Sequence, residues 1–251
     1  MEKSSELTLK NRTGMQLSPR HARELLETVE SAGAAIPLEN GQALAAARGA
    51  YIAEADPLGT LPAPATLKGV LKSGAKMVAG LRPQVFIDKL AERAAFERGG
   101  TRLYEALLAK FAAEARASRN IAANTDLTEE RLVRMRAEEA EHFALVSECI
   151  ETLGADPTVE TPSADVIGVA SLGLLQVVSD PRTSLTQSLQ ALLAAELIDR
   201  EGWELLITMA DELGERDIVT RFREALRQED EHLLSVRRWH VSLSLGASGA
   251  D

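Results

Sequence analysis

Glu-x-x-His occurs twice in this chain, as Glu139-Ala140-Glu141-His142 and as Glu229-Asp230-Glu231-His232. Both copies lie in stretches rich in Leu, Glu and Arg, free of proline and glycine, so both are predicted helical. Residues three apart share a helix face, so each motif turns one carboxylate and one imidazole the same way. Upstream of each copy stands a matching glutamate. Glu97 is followed seven residues later by Tyr104, and Glu196 seven residues later by Trp203. Four carboxylates and two imidazoles on four helices are the donor set of a carboxylate-bridged two-metal site inside a four-helix bundle.

Four helical stretches are expected, at about 85–117, 127–153, 183–213 and 217–244. The second has an apolar stripe of Leu132, Met135, Val146, Cys149 and Leu153, with Glu139 and His142 inside it. The fourth repeats this with Phe222, Leu226, Val236 and Trp239 around Glu229 and His232. Glu97 shares a face with Leu90, Ala94, Thr101, Tyr104, Leu108 and Phe111. Glu196 shares one with Leu189, Leu193, Arg200, Trp203 and Ile207. Such stripes are the buried faces of amphipathic helices. Burying four carboxylates without partners is prohibitive. Two divalent cations balance the four charges, and the histidines bind as neutral imidazoles. Carboxylate with imidazole suits iron or manganese, and the lack of thiolate ligands disfavours a structural zinc site. Glu105 and Glu204 also match between the two halves, but their neighbours Arg98, Arg102, Glu201 and Asp211 mark a solvent face. His21 and His240 lack a glutamate three residues before them and are read as surface or packing residues.

The two halves align as an internal repeat. Residues 98–108 match 197–207 without gaps, and 137–143 match 227–233. Between 153 and 183 lies a long connection with Pro157, Pro162 and Pro181 and an apolar stretch at 166–178, read as a short helix. Asp126 or Thr128 is placed to cap the second stretch; Gly154 ends it, and Gly214 falls in the last turn. Residues 1–83 differ from the rest and hold six of the nine prolines. They are read as an extension with short helices at 18–31, 41–55 and 65–79, the last carrying Lys68, Lys72 and Lys76. The bundle is expected at 84–245, with a tail at 246–251.

A net charge of −10 argues against a nucleic-acid partner. The single cysteine, Cys149, excludes an intramolecular disulfide and a four-cysteine metal site. The polar start of the chain does not resemble a secretory signal, and no apolar run is read as long enough to span a membrane. The expectation is a cytoplasmic protein without a membrane partner. Tyr104 and Trp203 are read as groups that orient a carboxylate or protect against stray oxidants, or else as core aromatics. Cys149 is read as an inert buried thiol. Gly99-Gly100 is read as a kink or close helix approach near the site, or as an interrupted helix start, and Arg200 as snorkelling to solvent or pairing with an acid.

A glutamate with an aromatic residue at +7, then Glu-x-x-His, twice over, resembles the ferritin-like superfamily, nearest in motif to its rubrerythrin and bacterioferritin branch. The likeness spans about 85–245. The stretch Phe96-Glu-Arg-Gly-Gly-Thr-Arg-Leu-Tyr104 also looks like that of a group of bacterial ferritin-like proteins. The resemblance implies an all-α, ferritin-like four-helix bundle with a long crossover between its second and third helices. It also implies two iron ions, with manganese as the alternative, held by Glu97, Glu139, His142, Glu196, Glu229 and His232. It further implies chemistry on O2, peroxide or Fe(II), served by an unidentified electron donor, and it leaves a homodimer open. A rubredoxin-type cysteine domain is missing, so electrons would have to come another way. The long extension has no counterpart in cage-forming ferritins. The alternatives are a structural or stress-related metal site, an oxygenase of organic molecules, and a dimanganese catalase.

Overall fold

Local capping chemistry sets most helix ends near the positions expected. The computed structural model describes residues 41–56, 83–116 and 126–248, with Arg23, Glu24 and Glu27 besides. Six helices are defined among the described residues, and no strand: α1 (Gly41–Glu54), α2 (Pro83–Arg116), α3 (Glu129–Thr152), α4 (Pro162–Ser179), α5 (Leu185–Glu212) and α6 (Arg216–Ser248). The Thr128 hydroxyl caps α3 by accepting from the Arg131 backbone N–H, with Glu129 and Glu130 in the first turn. Asp126 accepts instead from Trp239 Nε1 at 2.8 Å and ties the start of α3 to α6. Ser184 and Gln187 form a reciprocal capping box on α5. Gly154 and Gly214 leave α3 and α5 with φ of 84° and 72°, conformations that favour glycine.

Two units divide the chain, Met1–Pro57 and Leu58–Asp251. In the first, α1 agrees with the helix expected at 41–55, and its described side chains are exposed. The expected helices at 18–31, beyond those three residues, and at 65–79 lie outside the described residues, as do His21, Lys68, Lys72, Lys76 and residues 117–125.

In the second unit, α2 packs on α3, α4 and α5; α5 packs on α4 and α6; and α3 meets α6. Pairings such as Arg98–Phe143 and Glu105–Arg136 rise along one helix and fall along the other, so α2 and α3 are antiparallel. The pairs Glu148–Arg221 and Glu138–His232 show the same for α3 and α6. Apolar clusters fill the interior on both sides of a central polar belt. One holds Phe86, Leu90, Val146, Trp203 and Phe222; the other holds Leu107, Leu132, Met135, Leu189 and Trp239.

The helix α4 is longer than the stretch read from the sequence. Thr161 caps it, Pro162 opens it, and buried Asp88 of α2 accepts from both the backbone N–H and the hydroxyl of Ser163. By length and composition alone α4 could cross a membrane, against the expectation that no run is long enough. One side packs on α2 and α5, and Val166, Val169 and Leu172 are exposed. At its far end, Lys110 donates to the carbonyls of Asp180 and Thr183, both at 2.9 Å. The helix α6 continues to Ser248, past the tail boundary expected at 245.

Candidate metal centre

All six residues singled out by the motifs are buried, and they converge between the two apolar clusters. Glu97 comes from α2, Glu139 and His142 from α3, Glu196 from α5, and Glu229 and His232 from α6. Their ligand atoms form two close groups that share Glu229. One is Glu139, Glu196, Glu229 and His232; the other is Glu97, His142 and Glu229. His142 Nδ1 lies 2.7 Å from Glu229 Oε1 and 3.7 Å from Glu97 Oε2. His232 Nδ1 lies 3.3 Å from both Glu139 Oε1 and Glu229 Oε2, and 3.9 Å from Glu196 Oε2. Glu229 thus turns one oxygen toward each histidine. The rival pair points outward: Glu105 binds Arg136 and Glu204 binds Arg200, both partly in solvent.

These contacts are close but not aligned as hydrogen bonds. Both oxygens of Glu97 and Glu229, Oε2 of Glu139 and Glu196, and Nδ1 of both histidines are buried without a hydrogen-bond partner. Groups of this kind in a core are rare and demand an explanation. The far sides of the ligands, by contrast, are well held. Tyr104 donates its hydroxyl to Glu196 Oε1 at 2.6 Å, the carboxylate-orienting one of the alternatives read for it. His142 Nε2 donates to Gln228 Oε1 at 2.8 Å, and His232 Nε2 to Glu138 Oε2 at 2.7 Å. Both Nδ1 atoms therefore face the carboxylates. Trp203, the counterpart of Tyr104, stacks edge-on against His142 and Phe222.

The electrostatics follow from this crowding. Burial opposes a charge on His142, but Glu229 and Glu97 override it and push its pKa up to about 12. His232 is likewise raised by Glu138, Glu139 and Glu229 against the pull of burial. Burial and the negative charge of Glu229 push Glu139 up to about 8. Burial would raise Glu229 too, but the two histidines hold it at about 2. Without cations, protons on the imidazoles supply the balancing positive charge.

Arg93 and Asp199 are functional neighbours that the sequence pattern did not single out. Arg93, 2 % exposed, pairs with the Asp199 carboxylate and donates to its carbonyl at 3.1 Å. It also lies 3.7 Å from Glu97 Oε1 and stacks on Phe96. Asp199 can join Glu97, Glu139 and Glu229 in a third close group. The pattern put Arg200 on the buried stripe of α5, but the stripe is rotated by one residue and takes Asp199 instead. Arg200 turns out to Asp230 at 2.8 Å and Glu204 at 2.7 Å, the acid-pairing alternative expected of it. The available signal was spacing: Arg93 is one turn before Glu97, and Asp199 is three residues after Glu196.

Cys149 is buried, and burial pushes its thiol up to about 11, so it is an inert core residue at neutral pH. Comparison with protein-family models, curated proteins and solved structures finds no match for this chain.

Proposed function

We propose that residues 83–248 form a ferritin-like four-helix bundle around a non-haem di-iron centre that reacts with O2, peroxide or Fe(II). In this reading α2, α3, α5 and α6 are the bundle and α4 belongs to the crossover. The observation that carries it is the set of buried ligand atoms without hydrogen-bond partners, all turned toward one another. Divalent cations satisfy such atoms, and the absence of a thiolate from the groups favours iron or manganese over zinc. Glu97, Glu139, His142, Glu196, Glu229 and His232 are the proposed ligands, with Glu229 shared. Two iron ions held there would supply redox steps and Lewis acidity. The chain's own residues fix the donors: Tyr104 orients Glu196, while Gln228 and Glu138 fix both imidazoles with Nδ1 inward. Trp203 and Phe222 keep the His142 side dry.

The enclosure also supports a second reading, a closed structural metal site. Two surface clefts, one of about 510 Å³ beside Lys110 and one of about 160 Å³ between α2 and α4, are lined by none of the six ligands. The six ligands are themselves at most 3 % exposed, which favours a small reactant over a large organic substrate. Metal content of the protein from its native host separates iron from manganese. For activity, anaerobic protein loaded with two Fe(II) per chain is mixed with O2 or H2O2 and followed by near-ultraviolet absorbance. Wild type should oxidise iron faster than Glu139→Ala protein. Equal rates would overturn the redox reading in favour of the structural one.

A further inference from the structure

We infer that the two metal positions are unequal: the one at His232 holds its ion tightly, and the one at His142 holds an exchangeable ion. This rests on the two-metal reading above and is carried by the places where the internal repeat breaks.

Glu138 and Gln228 occupy equivalent positions, each immediately before the glutamate of its Glu-x-x-His motif. Each reaches across to the histidine of the other motif. Glu138 Oε2 accepts from His232 Nε2 at 2.7 Å, and Gln228 Oε1 accepts from His142 Nε2 at 2.8 Å. The geometry is shared and the chemistry differs. A carboxylate draws on the Nε2–H more strongly than an amide does, which makes the opposite nitrogen a better donor to a metal. Groups in this outer position change metal affinity by about 10–100-fold.

Two further breaks act in the same direction. The group at His232 offers four residues and the group at His142 three. Arg93, whose repeat counterpart is Leu192, places a buried cation 3.7 Å from Glu97 Oε1, a member of the His142 group and not of the His232 group. Room for it comes from Gly202, where a Cβ would lie 2.6 Å from Arg93 Nη2. Tyr104 draws on Glu196 as well, but as a neutral donor rather than a full charge.

The test is a titration of chelator-stripped full-length protein with Mn(II), with bound ion counted by calorimetry and by electron paramagnetic resonance of free Mn(II). Two steps should appear, separated at least tenfold in affinity. His232→Ala should remove the tight step and His142→Ala the weak one. Gln228→Glu should tighten the weak step about tenfold, and Glu138→Gln should loosen the tight one by a similar factor. The double exchange, Glu138→Gln with Gln228→Glu, should narrow the gap while still binding two ions. Circular dichroism checks that each variant is folded, and the opposite-signed single exchanges guard against a general loss of fit. Two steps of equal affinity in wild type, or a weak step unmoved by Gln228→Glu, would overturn the inference and leave the metal site standing. Absence of any binding would overturn both.

Discussion

Gly100 of α2 sits directly against the Glu139 carboxylate of α3: a Cβ at Gly100 would overlap Oε2 and lie 2.8 Å from Cδ. Glycine inside a helix costs about 1 kcal/mol relative to alanine. Here the close approach explains it. Gly100→Ala should therefore separate folding from metal binding. The metal-free melting temperature should hold or rise, since the helix gains propensity and only the end of one side chain must move. Mn(II) affinity should fall at least tenfold, because a ligand is displaced. Gly99, with open space around its Cβ position, is the control. Gly99→Ala should stabilise by up to about 1 kcal/mol and leave binding unchanged. Equal effects of the two substitutions would show that Glu139 has no fixed position.

Arg93 and Asp199 form a buried ion pair that should be expensive to break from one side. Arg93→Leu leaves the Asp199 carboxylate without its partner, and loss of one member of such a pair costs about 3–5 kcal/mol. Adding Asp199→Leu should recover part of that loss, because one stranded carboxylate is removed while Glu97 stays without the cation. Urea unfolding of the two single variants and the double variant in chelator measures this. Additive losses would mean that the pair is not coupled.

The fold was readable where chemistry and period agreed. On α3 the stripe of Leu132, Met135, Glu139, His142, Val146 and Cys149 is buried as the period requires. On α5 the period was ambiguous, because Leu, Ala and Ile occur on several faces and Leu197, Ile198 and Leu205 are exposed. That ambiguity put Arg200 in place of Asp199. The long-range partners Arg93–Asp199, Gln228–His142 and Glu138–His232 were not legible, because their encounters depend on helix rotation and offset. The full extent of α4 was hidden because its burial is one-sided and its outer face is also apolar.

The stability of the metal-free protein should fall as pH rises. His142 goes from an ordinary value of 6.5 to about 12 in the fold. Its contribution is therefore complete below 6.5 and is lost as pH rises through about 12. Glu139 goes from 4.5 to about 8, so the folded state favours its protonated form, and ionising it costs stability across that interval. Glu229, held at about 2, has the opposite sign: its contribution is present above 4.5 and is lost as pH falls through about 2. Between pH 6.5 and about 8 the first two act together and Glu229 is constant. The melting temperature in chelator should drop over that range. A rise would contradict the charge balance assigned to the site.

Metal should replace those protons. A ligating imidazole must give up its Nδ1 proton, so loading at neutral pH should release protons from His142 and His232. Calorimetric heats in buffers of different ionisation enthalpy count the protons, and affinity should increase with pH. Binding confined to the native state also stabilises it: at a free metal concentration one hundred times Kd, one site adds about 2.7 kcal/mol. For a chain of this size, that shifts the melting temperature by about 5–10 °C. The loaded protein should also lose the alkaline decline of the metal-free form, because its ligands no longer titrate in that range. A melting temperature that ignores Mn(II), in protein shown by EPR to hold two ions, would mean that these six residues are not the ones binding them.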